Sequence, residues 1–506
     1  MPNASFTLSI PPELLQEIFL KNTEVDDLSH DRLRTARYSS QVCQSWRSLL
    51  LRSPFVWARL LDLDSLGRSR EKWSEEVVSR IGDAPIWMEG RVRPSLDSVL
   101  MFVLEKKWEN VQALRLVGSF NHYPTNSWSF IGRKAPLLET LTIHFPDSLF
   151  PTSQLHSLCS SLLFNNEAPR LRELEISTAF QVKPSAPWLS NLQVLILSTK
   201  QTVTSILSIL HNTPRLERLH LLPKSILAAE EISTSPVQLP HLQFLHIGYT
   251  DYSEAVPFLE LISPSCTTCL LSMERAYWTF NVHGVPLIDP MAEKLHRAVL
   301  RWILTYSTGF GIPNDITLET YSSELAIFLW IRGPKSEAER RHYLRTTINV
   351  DIPLGPNASF IQSLIDASPS PFSSVKKLRL TSFINHRDEL LQLLQTFSSV
   401  TELVLDPGWE KISALCPTQS QFFPQLRIVE VRPTREGPQY WTMAASRLPN
   451  ICDFLEHRAA VGLPVSELDL RDVASYLQRD AYERLLDRLN KIDGLVVKWG
   501  SLYFQI

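Results

Sequence analysis

The sequence predicts an α/β chain. A short helical segment, residues 1–62, leads through a connecting segment, 63–106, into an irregular repeat solenoid built on a curved parallel sheet, 107–506. Three observations carry this: closely spaced apolar stripes at helical period near the N-terminus, a strand phrase that returns ten times, and turns made mostly by proline, with 34 Pro against 16 Gly.

The first helix opens at Pro11-Pro12-Glu13. Proline tolerates the first helical turn, and an early carboxylate complements the helix dipole. Leu14, Leu15, Ile18 and Phe19 then share a face at i, i+1, i+4, i+5, and Val42, Trp46, Leu49 and Leu50 repeat that geometry on a later helix. Two or three short amphipathic helices in ~50 residues leave apolar surface uncovered, so a partner is expected.

Beyond the connecting segment the phrase runs leucine, two variable residues, leucine, one variable residue, aliphatic. Examples are Leu138-Glu139-Thr140-Leu141-Thr142-Ile143 and Leu216-Glu217-Arg218-Leu219-His220-Leu221. Its central positions at 114, 141, 174, 195, 219 and 245 are separated by 27, 33, 21, 24 and 26 residues; those at 378, 403, 429 and 468 by 25, 26 and 39. Alternation sends both leucines of each Leu-x-Leu pair to one face. A single copy cannot bury that face, so neighbours must stack. Ser205–Leu210 and Leu390–Leu394 read as helices covering the outer side. The gap from Leu245 to Leu378 has room for about five further copies; Leu325–Ile331 and Thr347–Ile352 read as buried strands within it, and a continuous solenoid with a divergent middle is expected. A helix from Tyr482 to Leu489 and a strand at Leu495–Val497 are expected to cap the array.

The period matches that of leucine-rich repeats. The resemblance holds for the strand and departs just after it, where the family's Asn or Cys is missing from nearly every copy. Proline opens the phrase instead, at Pro136, Pro169, Pro214, Pro240 and Pro424. The N-terminal segment resembles an F-box. The family's Pro-Pro-Glu-Leu-Leu start, Ile-Phe, Val-Cys-x-x-Trp and Ser-Pro-x-x-Trp elements stand in order as Pro11–Leu15, Ile18-Phe19, Val42–Trp46 and Ser53–Trp57. Arg80–Trp87 is similar to the segment that follows the F-box in many fungal members. The segment from Lys21 to Arg37 departs, being longer than the usual connection.

The F-box resemblance implies a substrate receptor of a Skp–cullin–F-box ubiquitin ligase, and the repeats a surface for an unknown target protein. Pro11, Leu14, Leu15, Ile18, Val42, Trp46, Leu49 and Leu50 would make or support contact with the Skp-type adaptor, and through it a cullin scaffold. The alternative is a non-ligase repeat scaffold whose N-terminal helices only cap the solenoid. The ligase reading requires Leu14, Leu15 and Trp46 to be substantially exposed in the isolated chain.

Composition narrows the remaining classes. A net charge of −3 and the lack of a basic block argue against nucleic-acid binding. Six scattered cysteines fit a reducing compartment, cytoplasmic or nuclear, and no apolar run is long enough for a membrane span. Cys266-Thr267-Thr268-Cys269 has metal-ligand spacing but no second pair near it, so core thiols are expected and no metal or other cofactor. Gly309-Phe310-Gly311 lacks a third glycine and reads as a loop. No phosphate loop, nucleophile elbow or His-Glu-x-x-His occurs, so no catalytic residue is assigned and the chain is not expected to be an enzyme. What remains is the strands' concave face, where Glu173, Glu175, Arg218, His220, Phe244, His246, Lys377 and Arg379 flank the leucines. Solenoids use that side for extended protein contacts.

Overall fold

The structure is a computed structural model. It describes residues 10–23, 32–66, 71–92, 97–118, 125–144, 163–176, 182–198, 201–222, 226–227, 235–248, 252–264, 270–273, 294, 297–305, 315–321, 324–330, 350–353, 359–366, 372–381, 388–405, 422–432, 438–473 and 479–499. The chain divides into two compact units. One comprises Met1–Leu242, Leu261–Ser265 and Lys335–His342; the other Gln243–Glu260, Cys266–Pro334 and Tyr343–Ile506.

The first unit opens with four helices: α1 (Pro12–Lys21), α2 (Arg32–Val42), α3 (Gln44–Leu51) and α4 (Pro54–Ala58). Pro12 and Pro54 sit in first turns, where a missing N–H costs nothing. Cys43 caps α3, its Sγ accepting from the Trp46 N–H at 3.5 Å. Leu15, Phe19, Leu33, Leu50, Val56 and Trp57 form the core of this segment. Phe19 meets Trp46 edge to face with centroids 5.2 Å apart, and Trp57 donates its indole N–H to the Leu50 carbonyl at 2.8 Å.

An all-parallel sheet follows, made of β1 (Leu61–Asp62), β2 (Ile86–Arg91), β3 (Val111–Val117), β4 (Thr140–His144), β5 (Glu173–Ile176), β6 (Val194–Leu197) and, beside β6, β8 (Arg218–Leu221). A two-residue strand β7 (Gln201–Thr202), with helix Val203–Leu210 directly after it, falls between the last two and pairs with β9 (Ile226–Leu227) away from this sheet. The sheet therefore begins at Leu61 and not at 107. Ile86 and Met88 bury on one side of β2 as the leucine pairs do on later strands, which makes the expected connecting segment part of the sheet.

The local construction explains why proline replaces the missing Asn. In the turns before β4, β5 and β8 the proline occupies the second position, and the phrase's first leucine donates back three residues: Leu138 N–H to Ala135, Leu171 to Ala168, Leu216 to Thr213, at 3.1–3.3 Å. The next residue ties to its neighbour in the preceding copy. Glu139 N–H bonds the Gln112 carbonyl, Arg172 bonds Glu139, Gln193 bonds Arg172 and Glu217 bonds Gln193, all at 2.8–2.9 Å. Leu114, Leu141, Leu174, Leu195 and Leu219 then lie in register, each no more than 1% exposed. Each contributes roughly 1.5–3 kcal/mol by burial.

The second unit uses the same device. The phrases at 375–380, 400–405 and 426–431 fold as β17 (Lys377–Thr381), β18 (Glu402–Leu405) and β19 (Ile428–Val431), with β20 (Glu467–Asp469) and β21 (Val496–Lys498) completing a parallel run. Thr401 N–H bonds the Lys376 carbonyl, Arg427 bonds Thr401 and Ser466 bonds Arg427, at 2.8–2.9 Å. Helices Asp388–Gln395 and Arg479–Leu489 fall where the apolar spacing placed them.

The middle of the chain departs from a continuous parallel array. β10 (Val237–Leu239) pairs in parallel with β12 (Ile262–Pro264), and β11 (Phe244–Ile247) in parallel with β13 (Leu270–Met273). β14 (Asp315–Tyr321), β15 (Glu324–Trp330) and β16 (Val350–Pro353) are antiparallel to one another, and β14 joins them to β17. The resulting eight-stranded sheet has the order β16-β15-β14-β17-β18-β19-β20-β21. β14 and β15 are joined through the two intervening residues 322–323, far too few for a parallel crossover, so a hairpin is the connection that length allows.

Candidate functional site

Two kinds of surface emerge, an apolar one on the N-terminal helices and a polar one on the strands. On the helices, Leu14 is 51% exposed, Ile18 46% and Val42 56%. Pro11 is exposed as well, while Trp46 and Leu49 are half-buried. Leu15 and Leu50 are corrected as exposed contacts: at 4% and 1% exposure they lie in the core beneath the surface that the others form. α1 packs on α3, and Leu15 falls on the side of α1 that carries Phe19, next to the Trp46 ring. Exposure of Leu14 is met, that of Trp46 in part, and that of Leu15 is not.

Sequence reasoning missed Tyr38, Leu51 and Phe55, which are also more than a third exposed. Phe55 could have been found: Val56 and Trp57 turn inward on α4, which leaves the residue before them facing out. Six large apolar side chains thus reach solvent within the first four helices. Leu14 and Ile18 stand one turn apart on α1, as Tyr38 and Val42 do on α2, and exposed apolar neighbours of this kind point to an interaction site.

A buried cation ties these helices to the sheet. Arg32 is 6% exposed, donates to the Thr23 carbonyl at 3.0 Å and the Arg59 carbonyl at 3.4 Å, and ion-pairs with Glu89 on β2. Burial lowers the Arg32 guanidinium below its ordinary range, and Asp62 opposes that shift. Around it, Trp57 meets Trp73 edge to face at 6.2 Å, Arg80 lies over Trp57 at 5.2 Å and Arg59 over Trp87 at 4.4 Å.

On the first unit's sheet, the face opposite the leucines carries two rows. One runs Trp87, Ala113, Thr140, Glu173, Val194, Arg218; the other Glu89, Arg115, Thr142, Glu175, Ile196, His220. Of the predicted recognition residues, this register brings Glu173, Glu175, Arg218 and His220 onto adjoining strands. Glu173 is reached by Arg115 at 3.3 Å and the Thr140 hydroxyl at 3.4 Å, both long contacts. Burial raises the Glu175 carboxyl above the usual carboxylate range, against the pull of His144, Thr142 and Arg115. Arg218 makes no ion pair among the described residues.

No protein-family model and no curated protein matches this chain.

Phe244 and His246 lie on β11 in the second unit, their rings nearly parallel with centroids 6.4 Å apart. His246 is corrected too: at 6% exposure it is buried and no open-face group. Lys377 and Arg379 share one face of β17, but Lys377 is engaged. It pairs with Glu402 and reaches Glu430 at 3.3 Å. Burial alone would lower the Lys377 ammonium; the two carboxylates outweigh it and hold it above its ordinary value. The pairing continues across the sheet: Arg432 holds Glu430 at 3.1 Å and Asp472 at 2.8 Å, Arg471 holds Asp469 at 2.7 Å, and Lys498 pairs with Glu467.

The Cys266/Cys269 pair and Gly309–Gly311 lie outside the described residues. Among the described residues, no group of three or more His, Cys, Asp or Glu side chains is placed to hold a metal ion. No helix there is long and apolar enough to cross a membrane. Burial pushes the Cys452 thiol up to about 12, which leaves it without thiolate character at neutral pH.

Proposed function

We propose that this chain is the substrate-receptor subunit of a Skp–cullin–F-box ubiquitin ligase, with α1–α4 as the F-box and the strand repeats as an irregular leucine-rich-repeat surface for a target protein. One observation supports it above the rest: Leu14, Ile18 and Val42 of the F-box-like motif stand in solvent while Leu15, Phe19, Leu50 and Trp57 of the same motif hold the helices together. A helical cap would turn both sets inward. The receptor does no bond chemistry. It raises the effective concentration of the target beside the ubiquitin-loading enzyme.

The rival reading, a non-ligase scaffold, draws on the Arg32–Glu89 pair and the Trp57–Trp73 contact, which would serve a cap as well. Co-purification with a Skp-type adaptor separates them. Wild type is expected to retain the adaptor and Leu14→Asp/Ile18→Asp to lose it with its melting temperature unchanged. Equal retention by both, or by neither, removes the ligase reading.

A further inference from the structure

The first unit's sheet face is chemically ordered across its strands. Glu173 and Glu175 stand on β5, Val194 and Ile196 on β6, and Arg218 on β8, each pair of neighbours in register. All five are less than fully buried, and the Glu173 side chain is 40% exposed. The face therefore reads acid, aliphatic, base over two strand spacings, about 9.6 Å. The second unit's sheet carries the same order, run in reverse, in the row Arg379, Val404, Glu430, but there the aliphatic Val404 is fully buried and the acid is already held by Lys377 and Arg432. There Lys377, Glu402, Glu430, Arg432 and Asp472 neutralise one another, so a charged ligand would first have to break existing pairs.

Resting on the receptor reading, we infer that the β5–β8 face of the first unit binds an extended segment of the target bearing one basic and one acidic residue three positions apart, with an aliphatic residue between. In the polyproline II form an extended chain has three residues per turn and advances about 3.1 Å per residue, so residues i and i+3 share a face about 9.3 Å apart, close to the two strand spacings from the β5 carboxylates to Arg218. The aliphatic residue lies on Val194 and Ile196. The basic end meets the exposed Glu173 carboxylate, held otherwise among the described residues only by long contacts to Arg115 and Thr140, with the half-buried Glu175 beside it on β5. The acidic end gives Arg218 an ion-pair partner. Charge complementarity selects against segments of one sign, since either end then meets its own charge.

The test pans a displayed library of random short peptides on the full chain, then measures the selected peptide against Glu173→Lys, Arg218→Glu and the double exchange. The expected consensus carries a basic and an acidic residue at i and i+3 around an aliphatic. Each single variant is expected to weaken it by about tenfold or more, and the double exchange to restore it, because the peptide can lie in the opposite direction. Restoration also shows that both exchanged side chains are compatible with the fold, and a wild-type-like melting curve of each single variant shows that its loss of binding is not loss of the fold. No selected peptide, a consensus without the charge pair, or a double variant as weak as the singles overturns the inference. Adaptor capture by the same preparations reads the receptor proposal independently: retained adaptor with charge-insensitive peptide binding sinks the inference alone.

Discussion

The two units are built on one strand phrase and differ in how densely their open faces are paired. Their leucine faces are nearly interchangeable, with Leu195 and Leu403 both fully buried in register with aliphatic neighbours. On the other face the second unit links Lys377, Arg432 and Arg471 to carboxylates and leaves Arg379 without an ion pair among the described residues, whereas the first, among the same residues, holds Glu173 only by long contacts to Arg115 and Thr140, leaves Arg218 without such a pair and keeps Glu175 undercompensated. The core face is fixed by stacking, since any polar residue there would lack a partner. The open face is not, and is free to carry chemistry. The N-terminal helices repeat the contrast in apolar terms, with Leu15 serving the fold and Leu14 beside it serving solvent.

The largest expected effect comes from the shared face. Leu195→Ala should cost about 2–5 kcal/mol, read as a fall in denaturant midpoint, while Leu14→Ala should stay within about 0.5 kcal/mol. Comparable losses at both positions would erase the distinction between core and patch.

Next is the buried cation. Glu89→Gln leaves the Arg32 guanidinium enclosed without its carboxylate, and a loss of about 3 kcal/mol is expected, with Arg32→Met/Glu89→Leu recovering much of it. A Glu89→Gln protein as stable as wild type would show that the pair does not hold the helices to β2.

How much of this was legible follows from what a local pattern encodes. Alternation in Leu216-Glu217-Arg218-Leu219-His220-Leu221 gives both the strand and its buried side, because both depend on neighbours two residues away. Strand direction does not appear there: Leu325–Trp330 reads as a strand in any sheet, and its antiparallel pairing with Asp315–Tyr321 depends on the short hairpin between them. Nor does a doublet such as Leu14-Leu15 or Leu49-Leu50 say which member turns inward. That is set by Phe19 against Trp46 and by the Trp57 bond to the Leu50 carbonyl, contacts between helices. β2 was missed because Ile86-Trp87-Met88 buries like the phrase without the phrase's first leucine. His246 was misplaced because alternation assigns it to the face opposite Leu245 but says nothing of what covers that face, and there it is buried.

Titration sharpens the comparison of the two polar faces through effects of opposite sign. The Glu175 carboxyl is raised in the fold, so it binds its proton more tightly there than in the unfolded chain. It costs stability at neutral pH, and the cost disappears as pH falls through its folded value to below about 4.3. The Asp469 carboxyl is lowered by its hydrogen bonds to Arg471, so its contribution is present above about 3.9 and is lost as pH falls through its folded value. Melting curves across pH should find Glu175→Gln equal to or above wild type at pH ~7 with the difference closing near ~4, and Asp469→Asn below wild type with its difference closing only at lower pH. The same sign for both would contradict the contrast between the faces.

The smallest effect belongs to the second unit's ladder. Lys377→Met should cost no more than about 1 kcal/mol, and less in high salt, since its partners remain partly solvated. A large, salt-independent loss would mean that the ladder is structural rather than a self-neutralised surface.

The most direct measurement takes adaptor affinity and melting temperature together, in Leu15→Ala and in Leu14→Asp/Ile18→Asp. The expected result is a crossover: Leu15→Ala melts several degrees lower and, below its transition, binds a Skp-type adaptor as wild type does, while the exposed-face variant melts as wild type does and loses the adaptor. If the two properties fall together in both variants, or if wild type shows no adaptor binding, the N-terminal helices are a cap and the chain is not the receptor proposed here.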